Sequence, residues 1–251
     1  MVSSKSSVPP TADRALSALP PQVRDRLEAF RHTLRESLGD NLEALLIYGS
    51  VAFGAWHEGT SDVDVMIVLR DDRREVLDAI GHEVRLARYA ARIEAMILRR
   101  DEIASAADVF PLLYDDVREC NILLAGEDPF KGLVIRDAYR RLRVEQELRE
   151  ARIRLRRMVA DSERGALGLR DVVRRKLKQL RSPLRALLRL RGEVTAVDLD
   201  SVIRGACAAY AIDADALLQS SSPTVSYDLL TALIDAAITD VDTRDEGATG
   251  T

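Results

Sequence analysis

Two acidic residues at the start of one apolar segment carry the clearest chemistry in the sequence. Asp62 and Asp64 flank Val63 at the beginning of the run VDVMIVL (63–69), which predicts a buried strand. Side chains alternate along a strand, so we expect both carboxylates on one face while Val63 and Val65 face the core. Two carboxylates side by side repel each other unless a cation lies between them. Their hard oxygen atoms suit Mg²⁺ held jointly with substrate phosphates.

A glycine-containing turn precedes this acidic pair. The apolar run ALLIY (44–48) ends in Gly49 and Ser50, and eleven residues separate Ser50 from Asp62. Glycine has no side chain, so a ligand can approach its backbone closely. Ser50 offers a hydroxyl, and we expect exposed N–H groups there because a helix is expected to begin at this point. Such a place binds phosphate.

A third carboxylate, Glu94, lies in the run RIEAMIL (92–98), which also predicts a strand. Burying an acid in an apolar strand is costly unless the acid is paired or ligated. If the strand at 92–98 neighbours the strand at 63–69, Glu94 can approach the aspartate pair. Alternatively, Glu94 forms an ion pair with Arg92 or Arg99.

The elements around these residues fall into two halves of different type. The first half alternates helices and strands and so predicts an α/β domain, with helices at 21–39 and 72–90 and strands at 44–48, 63–69 and 92–98. The strand pattern stops after about residue 104. The second half predicts a helical bundle, with helices at 132–160, 167–181, 182–192 (restarting at Ser182-Pro183 and ending at Gly192), 198–211 and 226–240.

The charge distribution supports a division into two domains. Residues 1–130 hold 15 basic and 23 acidic side chains, residues 131–192 hold 20 and 7, and residues 193–251 hold 2 and 11. A net charge of −4 for the whole chain therefore conceals a basic middle block. We predict disordered tails at 1–18 and 242–251, an α/β domain at 19–128 and a helical domain at 129–241.

The basic block, residues 131–192, has three interpretations. Its arginines and lysines form a solvated helix face, paired in part with the acidic segments at either end of the chain. Alternatively, they contact the polyphosphate of a nucleotide, or they bind an anionic acceptor such as RNA. The basic block on its own does not decide among these.

Several classes of protein are excluded by composition. Two cysteines, Cys120 and Cys207, are too few for a disulfide scaffold, and the three histidines are too scattered to form a Cys/His metal site. No segment approaches the roughly 20 apolar residues of a membrane span, and the first residues lack the apolar core of a secretory signal. We therefore expect a cytoplasmic protein with no membrane partner.

The spacing of the candidate site resembles that of a known superfamily. Gly-Ser, a spacer of about ten residues and Asp-x-Asp between apolar residues resembles the nucleotidyltransferases typified by DNA polymerase beta. The stretches GSVAFGAWHEGTSDVDVMIV and RIEAMILRRDEI look most like streptomycin/spectinomycin adenylyltransferases and their uncharacterised bacterial relatives. The similarity covers roughly residues 44–100. It implies a polymerase-beta-like mixed sheet with flanking helices at 19–128, followed by the helical domain.

This resemblance also implies an activity. Gly49 and Ser50 would hold the triphosphate of ATP or another NTP, Asp62 and Asp64 would ligate Mg²⁺, and Glu94 would be a further ligand or the general base. The reaction would transfer a nucleoside monophosphate, most simply AMP from ATP, to a hydroxyl of a small-molecule acceptor with release of pyrophosphate. Two alternatives remain open. One is a catalytically silent NTP-binding or antitoxin-like module of the same fold. The other is a transferase directed at nucleic acid through the basic helical domain.

Overall fold

The computed structural model describes residues 11–161, 165–194 and 196–246, and it divides the chain into two compact units, Met1–Ile135 and Arg136–Thr251. The first unit contains four strands, β1 (Leu42–Tyr48), β2 (Val63–Leu69), β3 (Ile93–Arg99) and β4 (Ile122–Gly126). Its helices are α1 (Ala12–Ser17), α2 (Pro21–Leu38), α3 (Gly49–Ala52), α4 (Arg74–Ala91), α5 (Arg100–Ser105) and α6 (Pro111–Glu119).

The four strands form one mixed sheet in the order β3-β2-β1-β4. Strand β1 runs antiparallel to both β2 and β4, whereas β2 and β3 are parallel. Two parallel neighbours need a crossover connection, and α4 supplies it. The predicted adjacency of the strands that carry the aspartate pair and Glu94 is therefore confirmed, as is the mixed sheet with flanking helices.

Both faces of the sheet are covered by apolar side chains. On one face, Val65 and Ile67 belong to the same buried cluster as Phe30 and Leu34 of α2 and Ile80 of α4. On the other face, a second buried cluster joins side chains of β1 and β2 to α5, α6 and the chain that follows β4; its buried members are Ala44, Leu46, Met66, Val68, Ile103, Ala107, Tyr114, Val117, Phe130 and Ile135. The alternation predicted for β2 is confirmed, because Val63 and Val65 are buried in the first cluster.

Two features of the first unit differ from the sequence predictions. Strand β4 was not predicted, since five residues at the edge of a sheet are too few to show a periodic pattern. Helix α1 lies in the segment predicted to be a disordered tail, and it is ordered because Ala15 and Leu19 are buried in the core. Residues 1–10 of that tail lie outside the described part of the chain.

The boundary between the units also differs from the predicted one, 128/129. Phe130 and Ile135 are buried in the second cluster of the first unit, so this unit continues for seven residues beyond the predicted boundary.

The second unit is helical, as predicted. Its helices are α7 (Asp137–Ala160), α8 (Gly165–Leu190), α9 (Leu199–Ala209), α10 (Ala214–Gln219) and α11 (Pro223–Glu246). Helices α7, α8 and α11 pack on one another. The packing seam of α7 recurs every three or four residues and is buried at Val144, Leu148, Ala151 and Leu155.

Two predictions for the second unit were wrong. Helix α8 is continuous through Pro183, where the sequence predicted a break. Pro183 is buried with Leu180, Leu184 and Leu187, and this packing offsets the backbone hydrogen bond that proline cannot donate. Helix α11 continues to Glu246, so the first part of the predicted tail at 242–251 is helical, whereas residues 247–251 lie outside the described chain.

No helix in the described ranges is long and apolar enough to cross a membrane.

Candidate active site

The side chains of Tyr48, Asp64 and Glu94 form one row across the sheet, at the end of β1 and the start of β2 and β3. In the register of the strands, Asp64 lies opposite Tyr48 of β1 on one side and opposite Glu94 of β3 on the other. Paired residues project from the same face of a sheet, so all three side chains point the same way. Asp62 lies just before β2, two residues from Asp64. The structure thus brings together the three predicted carboxylates and adds Tyr48, which the sequence analysis missed.

Burial and like charges both raise pKa values in the row. Burial, followed by the negative charges of Asp62 and Glu94, raises the pKa of Asp64 from 3.8 to about 6. Burial and the neighbouring Asp64 likewise raise the pKa of Tyr48 to about 12. The carboxyl in the middle of the row is therefore the one that resists ionisation. A cation at this position would remove that resistance.

Asp62 is held by an arginine that is distant in sequence. Arg92 donates from Nε to Oδ1 of Asp62 at 2.8 Å and from a terminal nitrogen to the carbonyl oxygen of Gly59 at 2.9 Å. The two side chains remain about half exposed, at 52% and 41%. The arginine thus links the turn before β2 to the start of β3.

Glu94 has an arginine partner as well, although not one of those predicted. Arg88, in the last turn of α4, donates from Nε to Oε1 of Glu94 at 2.9 Å. The alternative that paired Glu94 with Arg92 or Arg99 is wrong in its partners, because Arg92 pairs with Asp62 and Arg99 with Asp72 and Asp101.

The turn after β1 lies against the same carboxylates. Gly49 has a φ of +68°, and a Cβ at this position would collide with Oδ2 of Asp64. Only glycine allows the backbone to approach that carboxylate so closely. The hydroxyl of Ser50 donates to the backbone oxygen of Asp62 at 3.4 Å, so the predicted phosphate-binding turn lies next to the acidic pair.

The chemistry of the donors fits a hard divalent cation. Asp62, Asp64 and Glu94 offer carboxylate oxygens, and burial followed by the charges of Asp62 and Glu94 raises the pKa of Asp64, so a cation here would favour its ionised form. In the described ranges, however, no three His, Cys, Asp or Glu side chains are already grouped as metal ligands.

Sequence reasoning missed three residues of the site, namely Tyr48, Arg88 and Arg92 as the partner of Asp62. Tyr48 precedes Gly49 and ends an apolar run, so its position next to the glycine turn was a usable signal. The arginine contacts had none, because Arg92 is 30 residues from Asp62 and its partner depends on strand order.

A comparison with protein families matches most of the first unit and the start of the second. Residues 27–144 match the family model of the nucleotidyltransferase domain. A search of curated proteins gives no match to the sequence.

A comparison with solved structures gives one similar fold and one weaker match. The structure of spectinomycin adenyltransferase AAD(9) from Enterococcus faecialis, determined with ATP and spectinomycin, aligns over 87% of this chain and 98% of that one, with a TM-score of 0.52 and 12% identity. A nucleotidyltransferase candidate from Sulfolobus solfataricus aligns over 54% of this chain and 100% of that one, with a TM-score of 0.31 and 18% identity. Residues 27–144 of this chain are thus similar in sequence to the nucleotidyltransferase domain, and the chain is similar in fold to AAD(9).

Proposed function

We propose that this chain transfers AMP from ATP to a hydroxyl of a small-molecule acceptor, with Mg²⁺, and releases pyrophosphate. The observation that carries the proposal is the row of Asp64 and Glu94 across β2 and β3, with Asp62 beside it and the Gly49 turn against it. An NTP needs a place for its phosphates and a cation for their charge. The glycine turn offers a place for the phosphates, and the carboxylates beside it offer ligands for the cation.

Each residue has a defined part in this proposal. Asp62 and Asp64 would hold Mg²⁺, which when bound supplies charge neutralisation at the phosphates. Gly49 leaves the space through which a phosphate can approach the backbone. The Ser50 hydroxyl, which donates to the Asp62 carbonyl in this structure, would turn to donate to that phosphate. Glu94 would accept the proton of the acceptor hydroxyl, or complete the ligand set. Arg88 keeps one oxygen of Glu94 occupied and so restricts the direction of the other.

A small-molecule acceptor is supported by two observations. The similar fold AAD(9) was determined with spectinomycin, a small molecule, as well as ATP. Part of the basic block is also neutralised within the second unit by α11, since Arg149 pairs with Asp242, Arg152 with Asp235 and Arg191 with Asp240. Paired arginines have less charge to offer a polyanion. The choice of acceptor depends on side chains and not on the fold, so the acceptor class is the part of the proposal to be screened.

A pyrophosphate-release screen tests the proposal. The full chain is incubated with labelled ATP, Mg²⁺ and a panel of hydroxyl-bearing antibiotics, tRNA and proteins. Asp62→Ala serves as the inactive control, and Asp78→Ala, an exposed acid on α4 outside the row, serves as the matched control. We expect release with one small-molecule class, lost in Asp62→Ala and retained in Asp78→Ala. ATP binding without release for any acceptor would instead support a silent NTP-binding module.

A nucleic-acid-directed transferase is the second candidate, and one surface favours it. Helix α8 exposes Arg170, Arg174, Arg175 and Lys178, with Asp171 as the one acidic residue between 168 and 192. If RNA is the acceptor, its binding weakens steeply as salt is added. Binding of the protein releases counterions from the RNA phosphates, and added salt opposes this release. Binding of a tRNA probe that is absent, or that does not change with salt, removes this candidate.

A further inference from the structure

We propose that Arg92 is a positioning residue that fixes the direction of Asp62 and of the turn at 59–62. The inference rests on the proposed function of the carboxylate row. It concerns a residue that acts through Asp62, and it explains why Asp62 has a defined orientation although it lies outside the sheet.

Arg92 occupies a backbone conformation that glycine would adopt more easily. It follows the last residue of α4 with φ 52° and ψ 39°, the left-handed region in which helices commonly end on glycine or asparagine. A residue with a Cβ is less favourable there than glycine. An arginine at this position therefore carries a conformational cost that glycine would not.

Three hydrogen bonds join Arg92 to the segment that precedes and begins β2. The guanidinium group donates to Oδ1 of Asp62 at 2.8 Å and to the Gly59 carbonyl at 2.9 Å. The backbone carbonyl of Arg92 accepts from the N–H of Val63 at 2.9 Å. A planar guanidinium group can serve two acceptors in fixed directions at once, which a lysine ammonium group on a flexible stem does less well.

The sheet orients Asp64 but not Asp62. Asp64 is paired with residues of β1 and β3, whereas the strand register of β2 with β3 begins at Val63. The direction of the Asp62 carboxylate therefore depends on side-chain contacts, and Arg92 supplies the charged one. Both partners are about half exposed, so the ion pair adds little to global stability. Its main consequence is geometric: Arg92 binds Oδ1 and leaves Oδ2 directed elsewhere.

The test compares Arg92→Gly and Arg92→Lys with wild type, and with Arg74→Ala as a matched control. Arg74 forms an exposed ion pair on the same helix, with Asp78. Amide hydrogen exchange is measured for residues 59–63 without nucleotide, and the affinity for Mn²⁺, a spectroscopic substitute for Mg²⁺, is measured by titration. Glycine removes the side chain while suiting the backbone, so loss of folding does not obscure the result.

We expect Arg92→Gly to melt at or above the wild-type temperature, to exchange the amides of 59–63 at least about tenfold faster, and to bind Mn²⁺ about 10–100-fold more weakly, as for other residues that orient metal ligands. Arg92→Lys keeps the charge but not the fork, so its Mn²⁺ affinity should stay below wild type. Arg74→Ala should match wild type in both measurements.

Unchanged exchange at 59–63 in Arg92→Gly would overturn the proposal. So would unchanged or tighter Mn²⁺ binding, which would mean that the guanidinium group has no effect on the metal or competes with it. A wild-type chain that releases no pyrophosphate with any acceptor overturns the proposed function instead, and the exchange measurement still decides the role of Arg92.

Discussion

Asp64 in the first unit and Asp240 in the second are both partly buried carboxylates, yet their pKa values shift in opposite directions. Burial acts to raise the pKa of Asp240, but hydrogen bonds from Arg191 and Tyr210 and the charge of Arg244 outweigh it and lower the pKa. Asp64 has two acidic neighbours instead, and burial together with their charges raises its pKa to about 6. Burial acts to raise the pKa at both positions, and the neighbouring groups decide whether the net pKa shift is upward or downward.

This difference separates carboxylates that support the fold from carboxylates that are available for chemistry. Asp240 accepts hydrogen bonds from Arg191 at 2.8 Å, from Tyr210 at 2.7 Å and from Arg244 at 3.0 Å, so its charge is neutralised within the helical unit. Asp62, Asp64 and Glu94 together have three carboxylates but only two arginine partners, Arg92 and Arg88, so an excess of negative charge remains. Perturbed carboxylates of this kind are common at functional sites.

The same comparison clarifies the basic block. The sequence left open whether its arginines pair with the acidic segments, contact polyphosphate or bind RNA. In the structure, arginines of α7 and the end of α8 pair with Asp235, Asp240 and Asp242 of α11. The acidic residues of α11 therefore neutralise part of the basic block, while α8 keeps several exposed cations.

The largest expected effect concerns the chemistry of the row. Asp64→Asn retains the shape of the side chain but removes its charge, so we expect nucleotidyl transfer to fall at least about 1,000-fold, as when a key charged group in an active site is lost. Pyrophosphate release with the acceptor found in the screen measures it. Asp240→Asn is the comparison, and a comparable loss in both variants would contradict the division between the two carboxylates.

The second effect concerns stability of the helical unit. Asp240→Asn leaves Arg191 and Arg244 without their charged acceptor in a site where the aspartate side chain is 13% exposed, so we expect a loss of about 2–4 kcal/mol in the free energy of unfolding. Denaturant titration measures this. The matched control is Asp242→Asn, whose 44% exposed side chain pairs with Arg149 and should contribute less than about 1 kcal/mol. Equal losses in the two variants would show that burial of the pair does not matter.

The third effect tests the close approach of the glycine turn to the row. Gly49→Ala places a Cβ against Oδ2 of Asp64 at a positive φ, so we expect a loss of about 2 kcal/mol in stability and a fall in activity of at least about tenfold. Gly132→Ala has a similar φ, +79°, but open space around the new Cβ, and it isolates the collision from the backbone strain. Identical melting temperatures in the two variants would argue that Gly49 does not press on Asp64.

The smallest effect is a dependence of stability on pH. Because the pKa of Asp64 is raised by folding, ionising this group costs stability above about pH 6, and the cost disappears below pH 4, near the unfolded value. At pH 7.5 the free energy of unfolding of Asp64→Asn should therefore exceed that of wild type by about 1 kcal/mol, once the pKa shift is discounted for solvent screening. Denaturant titration measures this difference. The two proteins should converge at pH 4. A difference that is constant across this range would mean that Asp64 does not titrate as proposed.

How much the sequence could predict depends on how local each feature is. The alternation in VDVMIVL placed Asp62 and Asp64 beside each other because strand periodicity depends on neighbouring residues only, and the apolar run of 92–98 predicted β3 for the same reason. The short edge strand β4 gave no such pattern. The continuity of α8 through Pro183 could not be predicted, because it depends on burial against other helices.

Charge partners were the least predictable feature of the site. Arg92 and Asp62 are 30 residues apart, and Arg149 and Asp242 are 93 residues apart, so neither pair leaves a local signal. Of the predicted partners of Glu94, both were wrong, whereas the actual partner, Arg88, lies one helical turn before the end of α4. Composition predicted that opposite charges were segregated along the chain. Only the fold determines which of them meet.

The most direct test of the proposed role of the row is calorimetry of ATP binding, with and without Mg²⁺, to wild type and to Asp64→Asn. If Asp62, Asp64 and Glu94 hold the cation that accompanies the nucleotide, wild type should bind ATP more tightly with Mg²⁺. Asp64→Asn should then lose most of that gain, with an affinity about 10–100-fold weaker. ATP binding that is indifferent to Mg²⁺ in wild type, or equal in the two proteins, would contradict a metal-dependent nucleotidyltransferase site on this sheet.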